Sequence, residues 1–399
     1  MRIVLINQFY PPARAPTGVL MADLAETLVQ RGHSVTVVTS AVLYGKIADG
    51  DTGHSGIEII RLGARREHRV NRLSKIWDYA DFYVQARRQL GVLDPRPDVV
   101  VSLTTPPFCG RMAQRVLALR RVPHVLWCMD LYPEALQAAG WLRSGNPVYG
   151  YLSRLAARER SGAAAVVVLG DDMADKVHAL EPNAYIKQVP VWSTLAPTSK
   201  DHEAAQMLRR ARGWEDDQCV LLYSGNMGRA HDVSDFARLA TRLDAGKFRF
   251  VLCGEGPFRQ AWRERWGSVF EWLPPVETAA LTTHLLAADV HLLSQQPQWQ
   301  GVVVPSKYQS ACALGKPVLF SGPVGCAVER WIAEGDTGWH LPSGRDTMDE
   351  HIISDLAEPD IRARKQAGAS RQANMYFNPE KNREELARII ENTVSLINT

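Results

Sequence analysis

Short apolar runs alternate with amphipathic stretches along all 399 residues of this chain. That alternation marks βα units whose parallel strands are covered on both faces. In the first half, buried strands are predicted at 3–7, 34–39, 57–62, 98–102, 123–128 and 164–169. Helices are predicted at 17–31, 73–90, 111–119, 149–160 and 171–180. A Pro- and Ser/Thr-rich stretch from Val189 to Ser199 interrupts the pattern and reads as a linker. The pattern then restarts, with strands at 219–224, 248–253, 290–293, 317–320 and 338–341. A last stretch, 379–397, opens on a proline and puts apolar residues at 386, 389, 390, 394 and 397, one helical stripe. Each half opens alike, with a buried strand, a glycine-containing loop and a helix. The expectation is an α/β chain of two Rossmann-like domains, 1–193 and 194–377, with 378–399 returning to the first. Ligands of such open sheets bind beyond the carboxyl ends of the strands, so one cleft shared by the two domains is expected.

Composition narrows the class. A hydrophobic content of 46% with 22% charged residues is that of a globular protein, and a net charge of +3 gives no general case for nucleic acid. The six cysteines are scattered without a CxxC pair, several in apolar runs, and read as buried structural thiols in a reducing compartment. The first residues offer too short an apolar run for a signal peptide, and no run is long enough to span a bilayer. The expected location is the cytoplasm, or the inner face of a membrane.

Five segments carry candidate chemistry, of differing strength. Gly301–Ser321 leads through a loop (Gly301 to Pro305, with Val303 and Val304) into a helix opening at Ser306-Lys307, with Gln309 in its first turn and Gly315 at its end. A helix start gathers free N–H groups and suits a phosphate, and Lys307 adds a full positive charge. The strand-to-helix turn Gly225-Asn226-Met227-Gly228-Arg229 lets backbone approach a ligand and supplies a guanidinium that pairs with phosphate oxygens. A plain βα turn with a solvated arginine would look the same. Gly254 and Gly256 form a weaker second turn; without a third glycine there is no dinucleotide fingerprint, which counts against a nicotinamide dehydrogenase. Asp130 and Glu134 lie just beyond the strand 123–128. Carboxylates there suit positioning a sugar hydroxyl or stabilising a developing cation, and capping of the next helix by Asp130 is the structural alternative. Asp49-Gly50-Asp51 looks like a metal-binding D-x-D but reads better as a surface turn. No metal and no cofactor are predicted.

Residues 61–88 crowd Arg61, Arg65, Arg66, Arg69, Arg72, Lys75, Arg87 and Arg88 with Trp77, Tyr79, Phe82 and Tyr83. This is either an anionic-membrane footprint or a solvated charged face over core aromatics.

Together, the opening 3–10 strand and loop, Gly18, Arg31-Gly32-His33-Ser34-Val35, Asp130-Leu131-Tyr132-Pro133-Glu134, the SGNMGR turn, GEGP, and VPSKYQ with GKPV resemble family 4 glycosyltransferases of the GT-B fold. The resemblance spans essentially the whole chain and is closest to the bacterial O-antigen, capsule and exopolysaccharide branch, similar to fucosamine-type transferases. It implies a retaining, metal-independent transfer from a nucleoside diphosphate sugar, UDP-linked in the first place, to a glycan or polyprenyl-diphosphate-linked acceptor. By the resemblance, Arg229 and Lys307 hold the diphosphate, Gly18 brings its N–H to the donor phosphate, and Asp130 lies beside the transferred sugar. The first domain takes the acceptor and the second the nucleotide sugar. Many family members carry glutamates where this chain has Val302 and Ser310, which leaves Gln309 or the backbone near Val303 and Val304 to make those contacts. A nucleotide-sugar 2-epimerase and a silent nucleotide-sugar-binding partner of another transferase share the architecture and stand as alternatives.

Overall fold

The structure, a computed structural model, describes residues 1–13, 15–43, 56–67, 72–118, 121–344 and 350–395, with the side chains of 42–43, 64–67 and 72–76 left aside. The Asp49–Asp51 turn and Arg69 lie outside these residues, as do the side chains of Arg65, Arg66, Arg72 and Lys75.

Thirteen strands form two parallel sheets among the described residues. The first contains β1 (Arg2–Ile6), β2 (Ser34–Leu43), β3 (Ile57–Glu67), β4 (Val99–Leu103), β5 (His124–Trp127), β6 (Ala165–Val168) and β7 (Ile186–Gln188). Its spatial order is β3-β2-β1-β4-β5-β6-β7. The second contains β8 (Cys219–Ser224), β9 (Phe248–Cys253), β10 (Glu271–Leu273), β11 (Val290–Ser294), β12 (Val318–Gly322) and β13 (Gly338–Pro342), in the order β10-β9-β8-β11-β12-β13. Both orders reverse direction once, beside β1 and beside β8, and loops leaving the strands at that reversal open the crevice where α/β sheets bind ligands. The central strands are buried along their whole length because helices cover both faces; all of Val99–Leu103 and Val290–Ser294 are buried, including the polar Ser102, His291 and Ser294.

The chain divides into two compact units, Met1–Pro190 with Glu380–Thr399, and Val191–Pro379. The helix Pro379–Ser395 therefore belongs with the first sheet. Its apolar stripe is covered, with Leu386 and Ile390 buried. Its polar edge is anchored by Arg31, which donates twice to Glu391 at 2.7 Å and also pairs with Glu384. Asn382 donates to the Pro190 carbonyl at 3.0 Å. The Arg31 hydrogen bonds, aided by His33, hold the Glu391 carboxyl down at about 2.

Candidate functional site

In the second unit, β8 and β9 end in the two glycine turns. Gly225, Gly254 and Gly256 all have positive φ, at +130°, +134° and +151°. These values belong to glycine, and the reason here is also contact. A Cβ on Gly254 would lie 2.0 Å from the Gly225 carbonyl oxygen, and one on Gly256 would lie 2.5 Å from that of Met227. The turns are further tied by Gly225 N–H to the Cys253 carbonyl (3.0 Å) and Met227 N–H to the Glu255 carbonyl (2.8 Å). Gly228 continues the turn, and Asn226 is exposed while its carbonyl accepts the Tyr223 hydroxyl at 2.8 Å. The SGNMGR and GEGP segments are thus one interlocked backbone platform.

Lys307 opens a helix of seven residues (Lys307–Ala313) and reaches over this platform. Its Cε would meet a Cβ on Gly225 at 2.9 Å, so the bare glycine is what admits the lysine. Its ammonium stands 3.7 Å from the centroid of the Tyr223 ring. Its Nζ is buried and has no hydrogen-bond partner among the described residues. Loss of hydration pulls its pKa down to about 7. Arg229 is exposed, its guanidinium 5.7 Å from the centroid of Phe258. The loop before Lys307 is pinned by Gln295, whose amide donates to the carbonyls of Trp299 and Val303, each at 3.0 Å. Val304 is buried, Ser306 is exposed beyond Pro305, and Gln309 is buried with neither amide atom partnered among the described residues.

His231, two residues past Arg229, belongs to no motif of the sequence. Its Nδ1 meets the Ser294 carbonyl at 2.7 Å, and burial together with the Lys307 charge pushes its pKa down to about 4. The only sequence signal was its nearness to the arginine turn.

In the first unit, Gly18 sits in the opening turn of the helix Pro16–Gln30, packed on the loop leaving β1. A Cβ there would meet the Phe9 carbonyl carbon at 3.0 Å. Asp130 follows β5. Its N–H and that of Met129 both donate to the Thr104 hydroxyl at 3.1 Å, so the residue after β4 fixes the second and third residues past β5. Asp130 does not cap the next helix, Glu134–Ala138, whose N-cap is Pro133. It lines a small pocket with Thr104, Phe108, Tyr132, Glu159 and Arg160, and burial raises its pKa to about 6. Glu159 in the same pocket is raised to about 7 for the same reason. Glu134, expected beside a substrate, is instead turned into the protein: it pairs with Arg160 at 2.9 Å, and both side chains are almost wholly buried. An uncompensated Arg160 would be costly there, which is why the carboxylate stays inside.

The structure thus gathers Gly225–Arg229, Gly254, Gly256 and Lys307 in one corner of the second unit, and Gly18, Asp130 and Glu134 in the first unit. Of the basic helix Arg72–Val92, Trp77 is 72% exposed while Phe82 is core.

Residues 17–192 match the family described as a glycosyl transferase 4-like domain. The chain is 24% identical over 274 residues to the probable glycosyltransferase WbjE of Pseudomonas aeruginosa, covering 67% of this chain and 68% of the relative. It is 24% identical over 341 residues to WcaI of Escherichia coli (strain K12), a putative colanic acid biosynthesis glycosyl transferase, covering 79% and 82%. Among solved structures it resembles HepE of Anabaena in complex with UDP and glucose, with a TM-score of 0.69 at 13% identity over 98% of this chain and 100% of that one.

Proposed function

The chain is a glycosyltransferase of the GT-B fold with a glycosyl transferase 4-like domain in its first unit, and on that premise we propose that it takes a sugar from a nucleoside diphosphate, UDP foremost, for bacterial surface-polysaccharide synthesis. The second unit holds the donor. The first unit receives a glycan or polyprenyl-diphosphate-linked acceptor.

The observation that carries this reading is the Lys307 ammonium, buried without a hydrogen-bond partner above a turn that only glycine can form. A buried cation without a partner is unfavourable until an anion arrives. The interlocked glycine turns fix the place of the Lys307 ammonium, and Arg229 adds a planar donor two residues beyond Met227. A diphosphate fits this set. When the glycosyl–phosphate bond breaks, the diphosphate gains negative charge and the ring gains positive charge. Lys307 and Arg229 stabilise the first without a metal ion. Asp130 of the first unit, held in place through Thr104, is a carboxylate of the kind that stabilises the second. Departure and attack on the same face of the sugar then retain the anomeric configuration. HepE, which shares the fold, binds UDP and glucose, and this supports UDP as the nucleotide to test first.

A thermal-shift panel of nucleotide sugars tests the assignment. A UDP-sugar at about a hundred times its dissociation constant stabilises by about 2.7 kcal/mol. A panel in which no nucleotide sugar raises Tm would defeat the proposal.

A further inference from the structure

Tyr223 sits at the end of β8 beneath the glycine turn and is fully buried. Its two polar contacts go to the candidate donor site. The hydroxyl donates to the Asn226 carbonyl at 2.8 Å, tying down the apex of the turn. The ring face carries the Lys307 ammonium at 3.7 Å, well inside cation–π range. The ring edge is held in turn. His231 meets it at 5.9 Å with planes at 77°, and Trp262 at 6.1 Å with planes at 85°. Trp262 stacks on Phe258 at 6.4 Å, and Phe258 carries the Arg229 guanidinium at 5.7 Å. One run of aromatic contacts therefore leads from Lys307 to Arg229, with a cation at each end.

We infer that Tyr223 is a positioning residue for the donor diphosphate: its ring holds the Lys307 ammonium in place before the ligand arrives, and its hydroxyl fixes the turn beside which that ligand binds. A flexible lysine stem on its own would need ordering during binding, and that loss of freedom would be taken from the affinity. With the ammonium already resting on the ring, the diphosphate meets a charge that is fixed and stripped of water. The inference rests on the reading of Lys307 as a diphosphate ligand.

A double-mutant cycle read by calorimetric titration with UDP separates the two. Lys307→Met, Tyr223→Phe, Tyr223→Met and the two double variants are made in the full chain, and the melting temperature of each is recorded. Lys307→Met alone is expected to weaken UDP about a hundredfold. Tyr223→Phe keeps the ring and loses the hydroxyl, so UDP weakens about 3–10-fold, the scale of one neutral hydrogen bond, and Lys307→Met costs as much in this background as in the wild type. Tyr223→Met removes the ring, and in that background Lys307→Met is expected to cost tenfold or less. A purely structural tyrosine would lower Tm and leave the cost of Lys307→Met the same in all backgrounds. That result, or an unchanged UDP affinity in Tyr223→Phe, overturns the inference. If Lys307→Met leaves UDP binding untouched in the wild type, the donor-site reading itself fails. Should Tyr223→Met not fold, Tyr223→Leu takes its place in the cycle.

Discussion

A lysine that keeps its charge in a dry setting does so against a cost, and Lys307 shows that cost as a pKa near 7. The unfolded chain holds that proton up to about pH 10.4. Between those values the unfolded state binds more protons than the folded one, so this group's contribution to stability rises with pH across the window. The other titratable groups that feel its charge, His231 and His291, sit at about 4 and about 3 and stay neutral through it. A diphosphate favours the charged lysine. Binding of a UDP-sugar, whose diphosphate carries no titratable proton in this range, is therefore expected to take up about one proton at pH 8 and almost none at pH 5.5, and to weaken as pH rises above 7. Calorimetry in buffers of different ionisation enthalpy measures the uptake, and none at pH 8 would show that Lys307 does not face the ligand. Asp130 gives the opposite limb. Its carboxyl, raised to about 6 by burial, is protonated below that pH, so turnover falls on the acid side with a midpoint near 6. Asp130→Asn should lower turnover and flatten that limb; a limb that survives the substitution belongs to another group.

The same division between what is local and what is distant runs through the elements. The central strands were readable as uninterrupted apolar runs, and 219–224 and 248–253 coincide with β8 and β9. The two strands that went unread, β7 and β10, have three residues each and are only half-buried, too short to show a period. The glycine turns were legible as turns, because glycine after a buried strand is a local signal. That Gly254 touches Gly225, or that Lys307 rests on Tyr223, was not legible, because each contact joins segments far apart in the chain. Glu134 shows the reverse error of distance: its place after a strand suggested a ligand, and Arg160, a residue 26 positions on, claims it. The interlocked turns make their own prediction. Gly254→Ala puts a methyl group into the Gly225 carbonyl at a φ that side chains avoid. It should cost about 1–3 kcal/mol in strain alone, lowering Tm by about 2–12 °C in a unit of this size. An unchanged melting curve would mean that the turns are not locked together.

At the scale of the whole molecule, the alternation of strands and helices announced two parallel-sheet units, and the apolar stripe of the last helix was visible before its partner was. What holds that helix, Arg31 on Glu391 and Asn382 on Pro190, joins residues some 360 and 192 positions apart and could only come from the fold. No described helix is long and apolar enough to cross a membrane. Residues 17–192 match a glycosyl transferase 4-like domain, the fold is GT-B, and the proposed diphosphate contacts lie in one corner of the second unit. The direct test is turnover with a UDP-sugar that the protein binds and a lipid-linked glycan acceptor, for wild type, Lys307→Ala and Arg229→Ala. Each variant is expected to transfer sugar about a hundredfold more slowly, the scale of losing one preorganised charge at a leaving group. Wild-type turnover in both variants would contradict the account.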